Sequence, residues 1–361
     1  MGSEPVVALG LMSGTSMDGI DAALIETDGQ AKVKPVAFLT QAYDPAFRGR
    51  LAEAVASGRA GPALEEELTR KHADAVRSLL GDAGVDAKDV ALIGFHGHTI
   101  FHAPAERRTV QIGDGALLAK LAGIAVVNDF RSADVAAGGE GAPLAPVFHG
   151  AIAATLEKPV AMLNIGGVAN VTWIGRDGAL LAFDTGPGNA LIDDWALTHT
   201  GRPVDEGGRL AAGGRVEERI LSELTADPYF RRPPPKSLDR NHFKQAAARV
   251  AGLRPEDGAA TLTHFTAAAV AMALPHLPER ARRWLVTGGG RHNPALMAAL
   301  RQRLAAPVDP IEAIGWDGDA IEAQAFAYMG VRSQKGLPIS FPQTTRAPRA
   351  MTGGRFHPRR G

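Results

Sequence analysis

Val6-Val7-Ala8-Leu9-Gly10-Leu11-Met12-Ser13-Gly14-Thr15-Ser16-Met17-Asp18-Gly19-Ile20-Asp21-Ala22-Ala23-Leu24-Ile25 is the stretch that decides the fold. An apolar run enters a loop of small and hydroxyl residues, and a second apolar run leaves it, which predicts two strands joined by a tight turn. Glycines at 10, 14 and 19 lack the Cβ that would hold a ligand at a distance. Successive backbone amides in such a turn form an anion-binding concavity, and Ser13, Thr15 and Ser16 add hydroxyls. Asp18 and Asp21 would repel a bare phosphate, so they predict a divalent cation, Mg²⁺, between carboxylate and phosphate. Taken alone, the stretch reads equally well as an ordinary Gly/Ser hairpin turn. The other loops of the chain decide between the two.

Composition narrows the field. At 361 residues and 45% hydrophobic content the chain can bury a large core, and its length predicts about two domains. Lysine plus arginine equals aspartate plus glutamate at 39 each, so no basic field draws nucleic acid or an anionic membrane. Cysteine is absent, which excludes disulfides and thiolate metal sites and fits a reducing compartment. Met1-Gly2-Ser3-Glu4-Pro5 has neither the basic nor the apolar region of a signal peptide. Apolar stretches such as 265–274 are too short and alanine-rich to span a bilayer. A soluble, cytoplasmic, globular protein is the expectation.

Outward from the opening hairpin, 32–39 predicts a third strand, at an edge or beginning at Pro35, and 46–83 predicts two helices broken at 57–62. Val90–Phe95 reads as a buried parallel strand that delivers His96-Gly97-His98-Thr99 at its carboxyl end. A helix over 114–122 and a strand over 124–127 lead to Asn128-Asp129-Phe130-Arg131, and a domain boundary is expected near 130. The second half repeats the outline. Val160–Ile174 is again strand, glycine turn (Gly166-Gly167) and strand, and 179–183 leads into Asp184-Thr185-Gly186-Pro187-Gly188-Asn189. Further on, 281–286 leads into Thr287-Gly288-Gly289-Gly290, with helices expected over 208–224, 259–274, 294–304 and 319–333. Two halves that each open on a glycine-tipped hairpin predict a duplicated α/β domain closing over a cleft.

The loops supply the chemistry. Asp184 stands at a strand end before a helix, where free amides and the helix dipole favour an anion, and the carboxylate beside it can take a proton. Each such loop has a bland reading as a cap or turn. Three glycine loops together, at 14–21, 184–189 and 287–290, point instead to a cradle for a nucleoside triphosphate. Neither a Gly-x-x-x-x-Gly-Lys-Ser/Thr loop nor a dinucleotide Gly-x-Gly-x-x-Gly pattern after a first strand occurs. His96 and His98 lie two apart, so an extended backbone would turn both to one face, yet no third ligand completes a zinc set. His98 and Thr99 suit hydrogen bonds to a substrate hydroxyl, and Arg131 suits a fork grip on a carboxylate or a plain surface pair with Asp129. Glu322 sits on an otherwise small, apolar helix, either facing solvent or aimed into a site.

The block Gly10–Asp21 resembles the opening signature of the bacterial anhydro-N-acetylmuramic acid kinases. So do Gly94–Thr99, Gln111–Asp114, Asn128–Arg131, Gly141–Leu144, Leu163–Gly167, Phe183–Asn189, Pro235-Lys236-Ser237, Gly288–Gly290 and Asp319–Ala323, in order over nearly the whole chain. His98 departs from the glutamine usual after His-Gly, and Thr344-Thr345-Arg346-Ala347 departs from a Thr-Gly-Ala type tail. The resemblance implies two duplicated actin-like (ribonuclease H-like) domains with an interdomain cleft, 1–130 completed by 337–361, and 131–336. It implies an ATP- and Mg²⁺-dependent kinase that opens 1,6-anhydro-N-acetylmuramic acid with water and phosphorylates its 6-oxygen, in cytoplasmic peptidoglycan recycling, as a homodimer. Asp184 would then be the catalytic base, assisted by Glu322. ATP would be held by Gly14, Thr15, Ser16, Met17, Asp18, Gly19, Ile20, Asp21, Gly166, Gly167, Gly186, Gly188, Asn189, Gly288, Gly289 and Gly290. Mg²⁺ would sit on Asp18 and Asp21, and the sugar on His98, Thr99 and Arg131. Two other readings stay open here: a kinase of a different anhydro-sugar, such as levoglucosan, and an actin- or chaperone-like ATPase that acts on a protein.

Overall fold

The computed structural model describes residues 4–14, 16–238 and 242–359. The chain divides into two compact units, one made of residues up to Ala154 together with those from Ala320 on, the other of Thr155–Asp319.

In the first unit β1 (Val6–Ser13), β2 (Gly19–Thr27) and β3 (Val33–Ala42) form an antiparallel meander, the opening stretch supplying the first hairpin. β4 (Val90–Ala103) runs parallel to β1 on its other side, β6 (Val126–Asn128) runs parallel to β4, and the C-terminal strand Arg355–His357 closes that edge. Pro35 lies on β3 at the opposite edge, where its missing N–H costs no ladder bond. Helices Pro45–Ser57 and Pro62–Ala83 begin with proline at the first turn and end on Gly58 and Gly84 in the left-handed conformation, so local chemistry sets their limits. They cover the face that carries Leu9, Leu11, Ile20, Leu24, Ile93 and Phe95.

Helix Ile321–Gln334 covers the opposite face of the first sheet. It lies almost on the backbone. A Cβ at Gly10 would fall 1.8 Å from Ala323 O, and one at Gly94 1.9 Å from Phe326 O. Two departures from the sequence expectations follow from packing. β4 does not end at Phe95 but continues to Ala103 and turns back as β5 (Arg108–Ile112). The first unit also extends beyond residue 130, because the buried carboxylate of Asp134 accepts bonds from Gly141 N and from the hydroxyls of Ser340 and Thr345, tying that loop to the C-terminal segment.

In the second unit β7 (Val160–Ile165), β8 (Val168–Ile174) and β9 (Leu180–Pro187) form an antiparallel meander, and β10 (Arg283–Thr287) and β11 (Val308–Pro310) add parallel strands beside β7. The strand orders match: β6-β4-β1-β2-β3 in the first unit, β11-β10-β7-β8-β9 in the second. This is the duplicated actin-like arrangement. Helix Pro255–Ala271 is the alanine-rich core of the second unit, with twelve of its residues buried. With its extension to His276 it is long and apolar enough to cross a membrane by length and composition, contrary to the shorter stretch counted from sequence, but 72% of its apolar window is buried inside the protein. The expected single helix over 208–224 is two, Arg209–Ala212 and Glu218–Thr225.

Candidate active site

In the first unit, alternation along β1 and β2 puts Leu9, Leu11, Ser13, Ile20 and Ala22 toward the two N-terminal helices and Gly10 and Asp21 toward helix Ile321–Gln334. A bulge breaks that alternation on β4. Leu11 pairs with Phe95 but Ser13 pairs with His98, and Gly97 between them has φ +71°. The two histidines therefore diverge. His96 packs on Phe326 at 4.6 Å, whereas His98 is fully buried on the other side with Nδ1 2.9 Å from Ser13 Oγ. A shared ion between them, which an extended backbone would allow, is ruled out by geometry. Nor does His98 reach solvent as a substrate donor would: its ring sits beside Ser13, which also accepts from Tyr43 OH at 2.9 Å. Burial pushes the His98 imidazole down to about 4.

His96 belongs to a different network. Arg131 donates through Nε and a terminal nitrogen to His96 Nε2 at 3.2 and 3.1 Å, and through its other terminal nitrogen to Gly141 O at 2.7 Å. Arg131 is thus held by His96 and Gly141, and no ion pair with Asp129 forms among the described residues. Burial pushes the Arg131 guanidinium down to about 10, with Glu322 and Asp134 opposing. Glu322, in the first turn of helix Ile321–Gln334, is open to solvent yet surrounded by protein that raises its carboxyl above the usual range; Asp21 adds to the rise and Arg131 opposes it. Asp21 accepts from Thr40 Oγ1 at 2.7 Å. The structure therefore gathers Asp21, Arg131 and Glu322, three residues far apart in sequence.

Thr99 follows the bulge and points away from His98 and Ile100. Its hydroxyl accepts from Gln111 Nε2 at 3.1 Å across the β4–β5 pair. The β4–β5 pairing is what gives Gln111 this role.

The turn itself is held by Tyr43, whose N–H donates to Asp18 O at 3.0 Å, and by Met17 N donating to Gly14 O at 3.0 Å. Ser16 is exposed, and Met17 takes φ +56° with its side chain against the core. The exposed Asp18 carboxylate pairs with Arg48 at 3.3 Å. Ile20 is fully buried and Gly19 packs on β3, where a Cβ would fall 2.4 Å from Gln41 O. Thr15 lies outside the described residues.

In the second unit Asp184 is half-buried on β9, opposite Asn170. Its Oδ2 accepts from Leu238 N at 2.8 Å, its N–H donates to Lys236 O at 2.9 Å, and its carbonyl accepts from Tyr229 OH at 2.6 Å. The amides that follow are not free for an anion, which corrects the expectation. Gly188 N and Ala190 N donate to Gly167 O, and Asn189 N donates to Gly166 O. Most of the glycines have packing reasons. A Cβ would meet Ala269 Cβ at 2.6 Å from Gly186, Gly166 O at 2.1 Å from Gly188, Asn164 Oδ1 at 2.4 Å from Gly288 and Ile165 Cγ2 at 2.5 Å from Gly290. Three glycines face room instead: Gly14 and Gly166, with nearest atoms at 3.8 Å, and Gly289, at 3.5 Å.

Arg291, which has no role legible in the sequence, anchors the third turn. Its buried guanidinium reaches Gly288 O at 3.0 Å and Glu312 and Asp319 at 2.8 Å each. Among the described residues no group of three or more histidine, aspartate or glutamate side chains forms a metal cage.

The sequence profile of the anhydro-N-acetylmuramic acid kinase family matches residues 6–359. An anhydro-N-acetylmuramic acid kinase of Paramagnetospirillum magneticum is 59% identical, over 98% of this chain and 99% of its own length. Another, of Rhizorhabdus wittichii, is 55% identical over 98% and 99%. Among solved structures, component A of the (R)-2-hydroxyglutaryl-CoA dehydratase of Acidaminococcus fermentans overlaps with a TM-score of 0.49 at 15% identity, covering 90% of this chain and 99% of that one. That overlap is too loose to carry weight.

Proposed function

The chain belongs to the anhydro-N-acetylmuramic acid kinase family, and we propose that it opens 1,6-anhydro-N-acetylmuramic acid with water while ATP phosphorylates the departing 6-oxygen. Water adds to the anomeric carbon, the bond from that carbon to the 6-oxygen breaks, and the 6-oxygen takes the γ-phosphoryl group. The products are N-acetylmuramic acid 6-phosphate and ADP. The proton lost by the water goes to Asp184.

The observation that carries this reading is the setting of Asp184: a half-buried carboxylate bonded by Leu238 N, on a residue whose N–H and carbonyl are both taken, as a positioned general base needs. Thr99 accepts from Gln111, which leaves its own hydrogen for a sugar oxygen. Arg131 presents a guanidinium already oriented by His96 and Gly141, suited to the lactyl carboxylate. Gly14, Gly166 and Gly289 are the points where backbone can approach the nucleotide.

Asp21 and Glu322 offer hard oxygen donors on one face, and a buried carboxyl raised further by a neighbouring like charge, as Glu322 is by Asp21, is the setting a cation relieves. They fit Mg²⁺ better than Asp18, which is turned to Arg48. When bound, the ion neutralises charge on the transferring phosphoryl group. The same reading places the enzyme in the cytoplasm, in cell-wall recycling, as a homodimer.

The test is turnover of 1,6-anhydro-N-acetylmuramic acid with ATP in ¹⁸O-enriched water, wild type against Asp184→Asn. Label at the anomeric hydroxyl, with kcat reduced by about 10²–10⁴ in the variant, is the expected result. ATP hydrolysis indifferent to the sugar, or a fully active variant, would overturn it.

A further inference from the structure

Pro235-Lys236-Ser237 is a motif to which the reaction assigns no task. Lys236 is nonetheless one of the most deeply buried charged residues of the second unit, 4% exposed. An ammonium is rarely placed so deep without a partner, because it gives up its hydration. Here Nζ donates to Tyr229 O at 3.1 Å and to Phe230 O at 3.3 Å and lies 4.5 Å from the centre of the Tyr229 ring. Neutral carbonyls and a ring face return only part of the lost hydration.

The same residues hold Asp184. Lys236 O receives the Asp184 N–H, Leu238 N–H binds the Asp184 carboxylate, and Tyr229 OH binds the Asp184 carbonyl. Lys236 thus ties the 229–230 turn to the 236–238 segment, and those two segments together take the N–H, the carbonyl and the carboxylate of Asp184. Among the described residues, the other charged and titratable groups around this cluster are Arg232, over the Tyr229 ring, His276, bonded to Phe230 O, and His242, paired with Asp227. Burial pushes the Lys236 ammonium down to about 8, Arg232 adding to this, while the Asp184 charge opposes it. By reciprocity the Lys236 charge favours the ionised form of Asp184.

We propose that Lys236 is a positioning residue for Asp184, locking together the two segments that bond to it. The inference rests on Asp184 being the base.

The test compares Lys236→Met, Lys236→Arg and Tyr229→Phe with wild type, each checked for folding by circular dichroism. Lys236→Met should lower kcat by about 10–100-fold, leave both KM values within about twofold, and move the acidic limb of the kcat–pH profile upward. Lys236→Arg, which restores charge, should bring the acidic limb back toward wild type. Tyr229→Phe keeps the ring beneath the ammonium but drops the bond to Asp184, and should lower kcat without moving that limb. A folded Lys236→Met with wild-type kcat and profile overturns the proposal. If Lys236→Met does not fold, an unchanged kcat in Tyr229→Phe overturns it. An active Asp184→Asn would instead sink the assignment of the base, so the two failures are told apart.

Discussion

Arg131 and His96 are joined by two hydrogen bonds to a single ring nitrogen, Nε2, at 3.2 and 3.1 Å. A guanidinium only donates, so Nε2 must be an unprotonated acceptor, and Nδ1, 3.0 Å from Gly97 O, carries the ring hydrogen. Burial and the Arg131 charge both hold the imidazole well below its ordinary range. His96 is thus a neutral prop that aims Arg131.

If Arg131 grips the lactyl carboxylate, Arg131→Ala should raise the KM for the sugar about 10–100-fold with the ATP KM little changed, the loss expected for a hydrogen bond to a charged group. Steady-state kinetics with each substrate varied in turn would show it. An anhydro-sugar lacking the lactyl group should be turned over by the variant and wild type with similar KM.

His98 gives the opposite expectation from a substrate ligand. Its ring is buried against Ser13, at the start of the turn whose other end, Asp18, is held by Tyr43. His98→Ala should destabilise the fold by about 1–3 kcal/mol and impair ATP use, while the sugar KM stays unchanged. A rise confined to the sugar KM would return His98 to the substrate.

Acid should unfold the first unit. Burial lowers His72, His98 and His149 from 6.5 to about 4, so between those values the unfolded chain takes up protons that the folded one refuses. Stability is therefore full above about pH 6.5 and falls as pH drops toward 4, by on the order of 1–3 kcal/mol per histidine. Tm measured across that range checks the sign; a Tm that rises as pH falls would contradict it.

Two glycines of the opening stretch should answer differently to alanine. Gly10→Ala drives a methyl into Ala323 O and should cost about 1–3 kcal/mol or more, displacing the helix that carries Glu322. Gly14→Ala meets nothing closer than 3.8 Å, so it should melt like wild type and raise the ATP KM. Thermal melts beside ATP titrations separate the two.

Most of the architecture was legible because it is written locally. Alternating apolar runs and glycine turns predicted both hairpins, proline and glycine marked the helix limits, and the repetition of strand, glycine turn and strand disclosed the duplication. Asp184 at a strand end and Glu322 on an apolar helix could also be singled out from their neighbours in sequence.

The kind of each element and the residues able to do chemistry are therefore set locally, since periodicity and turn propensity act over a few residues. Tertiary structure alone decided which way they point and what they touch. One positive-φ glycine, Gly97, sends His96 and His98 to opposite faces. A helix more than 300 residues downstream gives Gly10 its reason, and the amides of 188–190, open on paper, are taken by Gly166 and Gly167. Arg291, silent in sequence, holds the third glycine turn, and Lys236, legible in sequence only as part of a motif, accepts from the Asp184 N–H. These outcomes depend on close packing and on satisfying every buried donor, and both are settled only when distant segments meet.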